Sequence, residues 1–204
     1  MRQPILYIGF LLLALAGTAC NPTRRLQEGE LFYQGAKTEF IGSPPAQQKK
    51  LEAQLLEMAS PQPNEQLLGL YPRLGVYNAF ANKQKGIGKW LREKLGRPPV
   101  TYNSSLVERS HLRMEKFLKD NGYLQATIRY DTLVKHRKAT VNYRIRTGKQ
   151  YTIGAVEWPR DTTPLNELLE EEKPGSLLKA GEPLQLSLLK GERGRLAQSG
   201  IEQG

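Results

Sequence analysis

Leu112-Arg113-Met114-Glu115-Lys116-Phe117-Leu118-Lys119-Asp120-Asn121-Gly122-Tyr123-Leu124-Gln125-Ala126 is the stretch in which this chain changes its period. Up to Asn121, the residues Val107, Ser110, Met114, Phe117 and Leu118 recur at three- and four-residue steps, the stripe of a helix that buries one side. Ser105 with Glu108 three positions on fits a capping box and predicts the helix start. Gly122 stands where a left-handed terminator belongs. Beyond it, Ala126, Ile128 and Tyr130 alternate with Gln125, Thr127, Arg129 and Asp131. After Lys135-His136-Arg137-Lys138, Val141, Tyr143 and Ile145 alternate with Thr140, Asn142, Arg144 and Arg146. A period of two with a single apolar face predicts a hairpin whose other face is polar and cationic.

Upstream, Leu31 to Ile41 has the aromatic and β-branched content of a strand, with Gly35 at a bulge. Gly42-Ser43-Pro44-Pro45 ends it, and Gln47 to Ala59 reads as a helix with Leu51, Leu55 and Met58 on one face. Asn64 is expected to cap another short helix through Leu67-Leu68. Downstream, Gly29-x-x-Phe32-x-x-Gly35-Ala36 reappears as Gly148-x-x-Tyr151-x-x-Gly154-Ala155, followed again by a proline and a leucine-rich helix, Leu165 to Glu172. Domain duplication accounts for this repeat. A further helix runs through Leu184, Leu186, Leu188, Leu189 and Leu196, and no second hairpin follows. The expected class is α+β: a β-α-α-β-β unit in which two helices cover a three-stranded sheet, then an incomplete second copy.

The chain has 204 residues, a net charge of +10, two histidines and a single cysteine. No internal disulfide or Cys-rich zinc site can form, and His111 and His136 lie too far apart for a recognisable metal cluster. The positive balance suits an anionic partner. Arg2, the apolar run Ile5 to Ala16 and the small residues Gly17-Thr18-Ala19 form a secretory signal ending at Cys20. That arrangement resembles a bacterial lipobox, which implies cleavage before Cys20 and diacylglycerol on its thiol; ordinary cleavage after Ala19 and an uncleaved anchor are the alternatives. An exported chain does not meet the genome. The basic stretch 69–99, where Tyr71, Tyr77, Phe80 and Trp90 lie among lysines and arginines, therefore reads as a loop-and-helix insertion and not as a single-strand nucleic-acid platform.

A helix running into Asn121-Gly122-Tyr123-x-x-Ala126, a basic hairpin and then Gly148-Lys149-Gln150-Tyr151-Thr152-Ile153-Gly154 resembles a POTRA domain of the BamA/TamA outer-membrane protein assembly superfamily. Pro61-Gln62-Pro63-Asn64, Tyr77-Asn78, Trp90-Leu91, Gly96-Arg97-Pro98-Pro99-Val100 and Glu192-Arg193-Gly194-Arg195-Leu196 narrow the resemblance to the lipid-modified TamA-like members of Bacteroidetes. The organisation it implies is a signal peptide at 1–19, a lipidated tether at 20–28, a POTRA-like domain with a basic insertion at 29–148 and a truncated second one at 149–204. The membrane barrel of such proteins is absent, so the chain reads as a fragment or reduced form anchored at the outer membrane.

By the same resemblance, the exposed sheet edge is the strand Leu124 to Thr132, and Leu124, Ala126, Thr127, Ile128, Arg129 and Tyr130 would receive an extended client by backbone pairing. Arg129, Arg144 and Arg146 would attract acidic clients or an anionic membrane surface. The partners implied are unfolded outer-membrane proteins or a barrel protein, with no cofactor beyond the lipid on Cys20 and no metal. A passive lipoprotein scaffold that docks to a barrel without binding clients is the alternative. No catalysis is expected: Ser110, His111 and Asp120 carry the letters of a triad, but adjacent helix positions point about 100° apart. His136 belongs to the basic turn, and Glu170-Glu171-Glu172 to a helix face.

Overall fold

A computed structural model describes residues 21–161 and 163–203. The signal segment and Cys20 lie outside the described residues. Among the described residues are strands β1 (Phe32–Phe40), β2 (Thr127–Lys135) and β3 (Lys138–Arg146). The helices are α1 (Gln48–Glu57), α2 (Pro72–Phe80), α3 (Gly86–Lys94), α4 (Ser104–Asp120), α5 (Pro164–Glu172) and α6 (Leu186–Gln203). The chain is α+β, with a three-stranded sheet in the order β1-β3-β2. This is the β-α-α-β-β order expected of a POTRA-like unit, with α2 and α3 forming the basic insertion and α5 and α6 following it.

The sheet is mixed. Phe32 N–H donates to Arg137 O and Ile41 N–H to Ile145 O, each at 2.8 Å, so β1 runs parallel to β3. Between those two bonds β1 advances nine residues while β3 advances eight, so β1 carries one extra residue. Gly35, at φ +123°, is where it fits. Inward-facing positions shift there from Tyr33 and Gly35 to Ala36, Thr38 and Phe40. The bulge expected from the sequence is present.

Two compact units divide the chain: residues up to Thr38 with Leu56–Ser110 and Tyr130–Tyr143, and Glu39–Leu55 with His111–Arg129 and Arg144 onward. In the first, Leu26, Phe32, Tyr71 and Leu74 form one buried cluster, with the Phe32 and Tyr71 rings edge to face at 5.2 Å. Tyr33, Val107, Val141 and Tyr143 are also buried there. In the second, Leu51, Leu55, Met114, Leu118, Tyr123, Ala126, Ile128 and Ile145 are buried. In the second unit Ile153 N–H donates to Glu182 O and Leu184 N–H to Tyr151 O. The repeat at Gly148 therefore yields one short antiparallel contact, Thr152 with Pro183, in place of a strand. Leu165, Leu186, Leu189 and Ile201 stay exposed on the two leucine-rich helices.

Three local expectations are corrected. Residues 21–28 are not a free tether: Leu26 is in the core, and Arg25 donates to Asn82 Oδ1 at 3.1 Å. Asn64 caps no helix; its side chain accepts from Val100 N–H at 2.8 Å and donates to Pro98 O at 2.9 Å, fixing an extended segment 36 residues away. Ser105 lies inside α4, whose cap is Asn103, accepting from Leu106 N–H at 3.1 Å. Glu108 is not free to close the box because it accepts from the Tyr130 hydroxyl at 2.6 Å.

Candidate functional site

The hairpin turn sets the geometry of the sheet edge. His136 and Arg137 lie at φ +50° and +58°, the left-handed pair of a type I′ turn, so two residues alone separate β2 from β3. A two-residue turn makes Lys135 and Lys138 a hydrogen-bonded pair. The register then places Leu133 opposite Thr140, Tyr130 opposite Tyr143, Arg129 opposite Arg144 and Thr127 opposite Arg146. The Tyr130 and Tyr143 rings, 5.9 Å apart, conform to it. Arg137 braces the turn by donating to Gln27 O at 2.6 Å.

Backbone groups of a hydrogen-bonded pair point at the partner strand, and those of the intervening residues point away. On β2 the outward set is Ile128, Tyr130, Thr132 and Val134. At Ile128 this orientation is visible directly, since His111 Nε2 lies 2.9 Å from its carbonyl oxygen. The amino-terminal end of the edge is therefore occupied by a side chain of α4. Towards the turn, Leu133 and Val134 are 67% and 50% exposed, on opposite faces of the strand. The other side of the sheet differs: Tyr33 N–H donates to Val100 O and Tyr102 N–H to Leu31 O, covering the start of β1. Among the described residues, Thr132 and Val134 near the turn of β2 have no such backbone cover.

The expected site residues fall into three groups. Leu124 and Ala126 precede the strand, which begins at Thr127. Thr127 and Arg129 belong to the edge strand, but their amides face β3. Ile128 and Tyr130 face outward. Thr132, the last residue of the expected edge strand, and Val134, beyond it, carry the exposed half of the edge. The turn length was the signal that locates them. On the polar face the structure does bring Arg129 and Arg144 together as a cross-strand pair, with Arg146 two residues along on the same side, all three exposed. Like charges directly opposite each other oppose the pairing of their strands.

Polar residues beside the edge serve the fold. Tyr102 Oη and Thr132 Oγ1 lie 3.2 Å apart. The Glu108 carboxylate accepting its proton raises the Tyr130 phenol above its ordinary pKa. Burial, aided by Tyr102, pushes the Tyr33 phenol up to about 12. The triad letters do not assemble. Ser110 is fully buried, accepting from Ser60 N–H and donating to Leu106 O, each at 2.8 Å. His111 is engaged at Ile128 and Glu115, and Asp120 accepts from Lys116 at 2.6 Å. Among the described residues, no cluster of three or more His, Cys, Asp or Glu could hold a metal ion.

No known protein family matches this chain. No curated protein matches it either. Among solved structures it is similar to the crystal structure of POTRA domains 3–5 of BamA from Haemophilus influenzae, at 13% identity over 86% of this chain and 89% of that one, with a TM-score of 0.32. A likeness of that degree carries no argument by itself.

Proposed function

We propose that this chain is a POTRA-type polypeptide-holding module in which the outer half of β2 accepts an extended client strand at the outer membrane. On this reading residues 1–19 are removed in export, Cys20 carries the lipid anchor, and the clients are unfolded outer-membrane proteins or a segment of a barrel protein. The reading is non-catalytic. The observation that carries it is the register of β2: Thr132 and Val134 turn their amides and carbonyls away from β3, at the end of the sheet where no other described segment covers them.

Each backbone bond to an incoming strand contributes about 0.5–1.5 kcal/mol net, so a few such bonds give weak, sequence-tolerant capture. Arg129 and Arg144 add attraction for acidic segments, which strengthens encounter more than final affinity. His111 at Ile128 limits the client to the Tyr130–Val134 stretch.

The test is proline placement. Val134→Pro deletes an outward amide and puts the ring where a client backbone would lie, while leaving the β2–β3 ladder intact. Leu133→Pro instead deletes a ladder bond and weakens the hairpin itself. With a photo-crosslinker at Asp131, Val134→Pro is expected to lower crosslinking to an unfolded barrel protein about tenfold or more, with unchanged thermal unfolding. Undiminished crosslinking would remove the strand-accepting role and leave the passive scaffold.

A further inference from the structure

Helix α3, Gly86-Ile87-Gly88-Lys89-Trp90-Leu91-Arg92-Glu93-Lys94, packs with the wrong side inward. Gly88 faces α2: a Cβ there would meet the Lys83 side chain at 2.9 Å and the Phe80 ring at 3.3 Å. One turn on, Arg92 donates to Ala81 O at 3.0 Å. Ile87 and Trp90 share the face roughly 140–160° from Arg92 at 100° per residue, and are 79% and 55% exposed. The helix has no buried residue. A helix that docks by Gly88, Arg92 and the half-buried Leu91 and offers Ile87 and Trp90 to solvent has an apolar contact left to make elsewhere.

We propose that α3 lies in the interface of an anionic phospholipid bilayer, with Ile87 and Trp90 inserted at headgroup depth. Charge selects this occupant. Lys83, Lys85, Lys89, Arg92, Lys94 and Arg97 stand against the single acid Glu93 across 83–97. A short amphipathic helix of low net hydrophobicity, with lysines flanking a tryptophan, is built for the headgroup boundary.

The second argument is where the chain comes from. Asn78 Nδ2 donates to Asn21 O at 3.4 Å, so the first described residue is fastened to the last turn of α2. Residues 81–85 lead from that turn directly into α3. Immediately before Asn21 stand Cys20 and the apolar run Ile5 to Ala16. A lipid on the thiol or the apolar run itself would bring a bilayer to Asn21, and hence to α3. The contact is separate from the β2 edge and does not depend on client binding.

The experiment uses the full chain purified from membranes and reconstituted in vesicles, with Trp158→Phe leaving Trp90 as the one tryptophan. Vesicles of phosphatidylglycerol and phosphatidylethanolamine are compared with phosphatidylcholine alone, with and without lipids brominated near the headgroup. The expected result is a blue-shifted Trp90 emission, quenched by the brominated lipid about threefold more in the anionic vesicles, and abolished by Ile87→Ser with Lys83, Lys85 and Lys89→Gln. Water-like, unquenched emission from vesicle-bound protein would overturn the proposal. So would a blue shift that appears without lipid and grows with protein concentration, which would mark a second copy as the occupant. Val134→Pro is expected to leave the Trp90 signal unchanged, separating this contact from the strand-accepting edge.

Discussion

Gly122 answers two demands at once. It ends α4 at φ +85°, where Gly122 N–H reaches Lys119 O and Tyr123 N–H reaches Leu118 O, at 3.1 and 3.0 Å, the paired bonds of a Schellman terminator. Its missing Cβ also leaves room for two carbonyls: a methyl group there would sit 2.7 Å from Leu184 O and 3.0 Å from Tyr151 O. Gly122→Ala is expected to destabilise the chain by at least about 1–3 kcal/mol, read as a lower urea midpoint. Gly154→Ala, with nothing within 4 Å, is the near-neutral comparison. Glu192 works by charge. It is 4% exposed, accepts from Arg195 through both oxygens and from Leu177 N–H, and Arg195 also binds Glu172. The Arg195 bonds, opposed by burial, hold its carboxyl at about 2 against an ordinary 4.5. A depressed folded pKa means that the stabilisation is complete above the ordinary value and fades as pH falls from 4.5 towards 2. Glu192→Gln is expected to flatten the decline of urea stability in that window; an unchanged slope would show that other carboxylates govern it.

At the scale of elements, legibility followed the range of the interaction. The hairpin and α4 were readable because their burial is periodic: inward positions recur every second residue from Ile128 to Thr132 and again from Ala139 to Ile145. The α4 cap was not, because Asn103, Ser104 and Ser105 are consecutive candidates and the carboxylate that favoured Ser105 belongs to Tyr130, 22 residues on. Asn64 failed for the same reason: its partners lie 34 and 36 residues away. The edge was half legible. Strand order depends on which strand inserts between two others, and no local pattern encodes that; the resemblance implied only that β2 is an exposed edge, and the structure places β3 in the middle. The register within the edge was written in the turn, but His136-Arg137 lacks the Asn-Gly signature that usually announces a type I′ turn. His136→Gly, relieving a left-handed β-carbon, is expected to stabilise the hairpin by about 0.5–1 kcal/mol, measured as slower amide exchange along β2.

For the whole molecule, the proposed anchor, the basic helix and the open strand edge are separate parts with separate tests. Lipid on Cys20 is expected as incorporation of labelled palmitate and a mobility shift on globomycin treatment; a bare thiol in cells would remove the anchor while leaving β2 as it is. The unequal flanks of the sheet carry one more implication. Head-to-tail stacking of sheets requires a donor edge and an acceptor edge on each molecule, and Val100–Tyr102 plugs the start of one of them. Two copies meeting through β2 use up each other's vacancy and close a symmetric pair. On the proposed membrane-anchored reading, copies without clients are therefore expected to pair off through β2, and the covered start of β1 hinders growth into filaments.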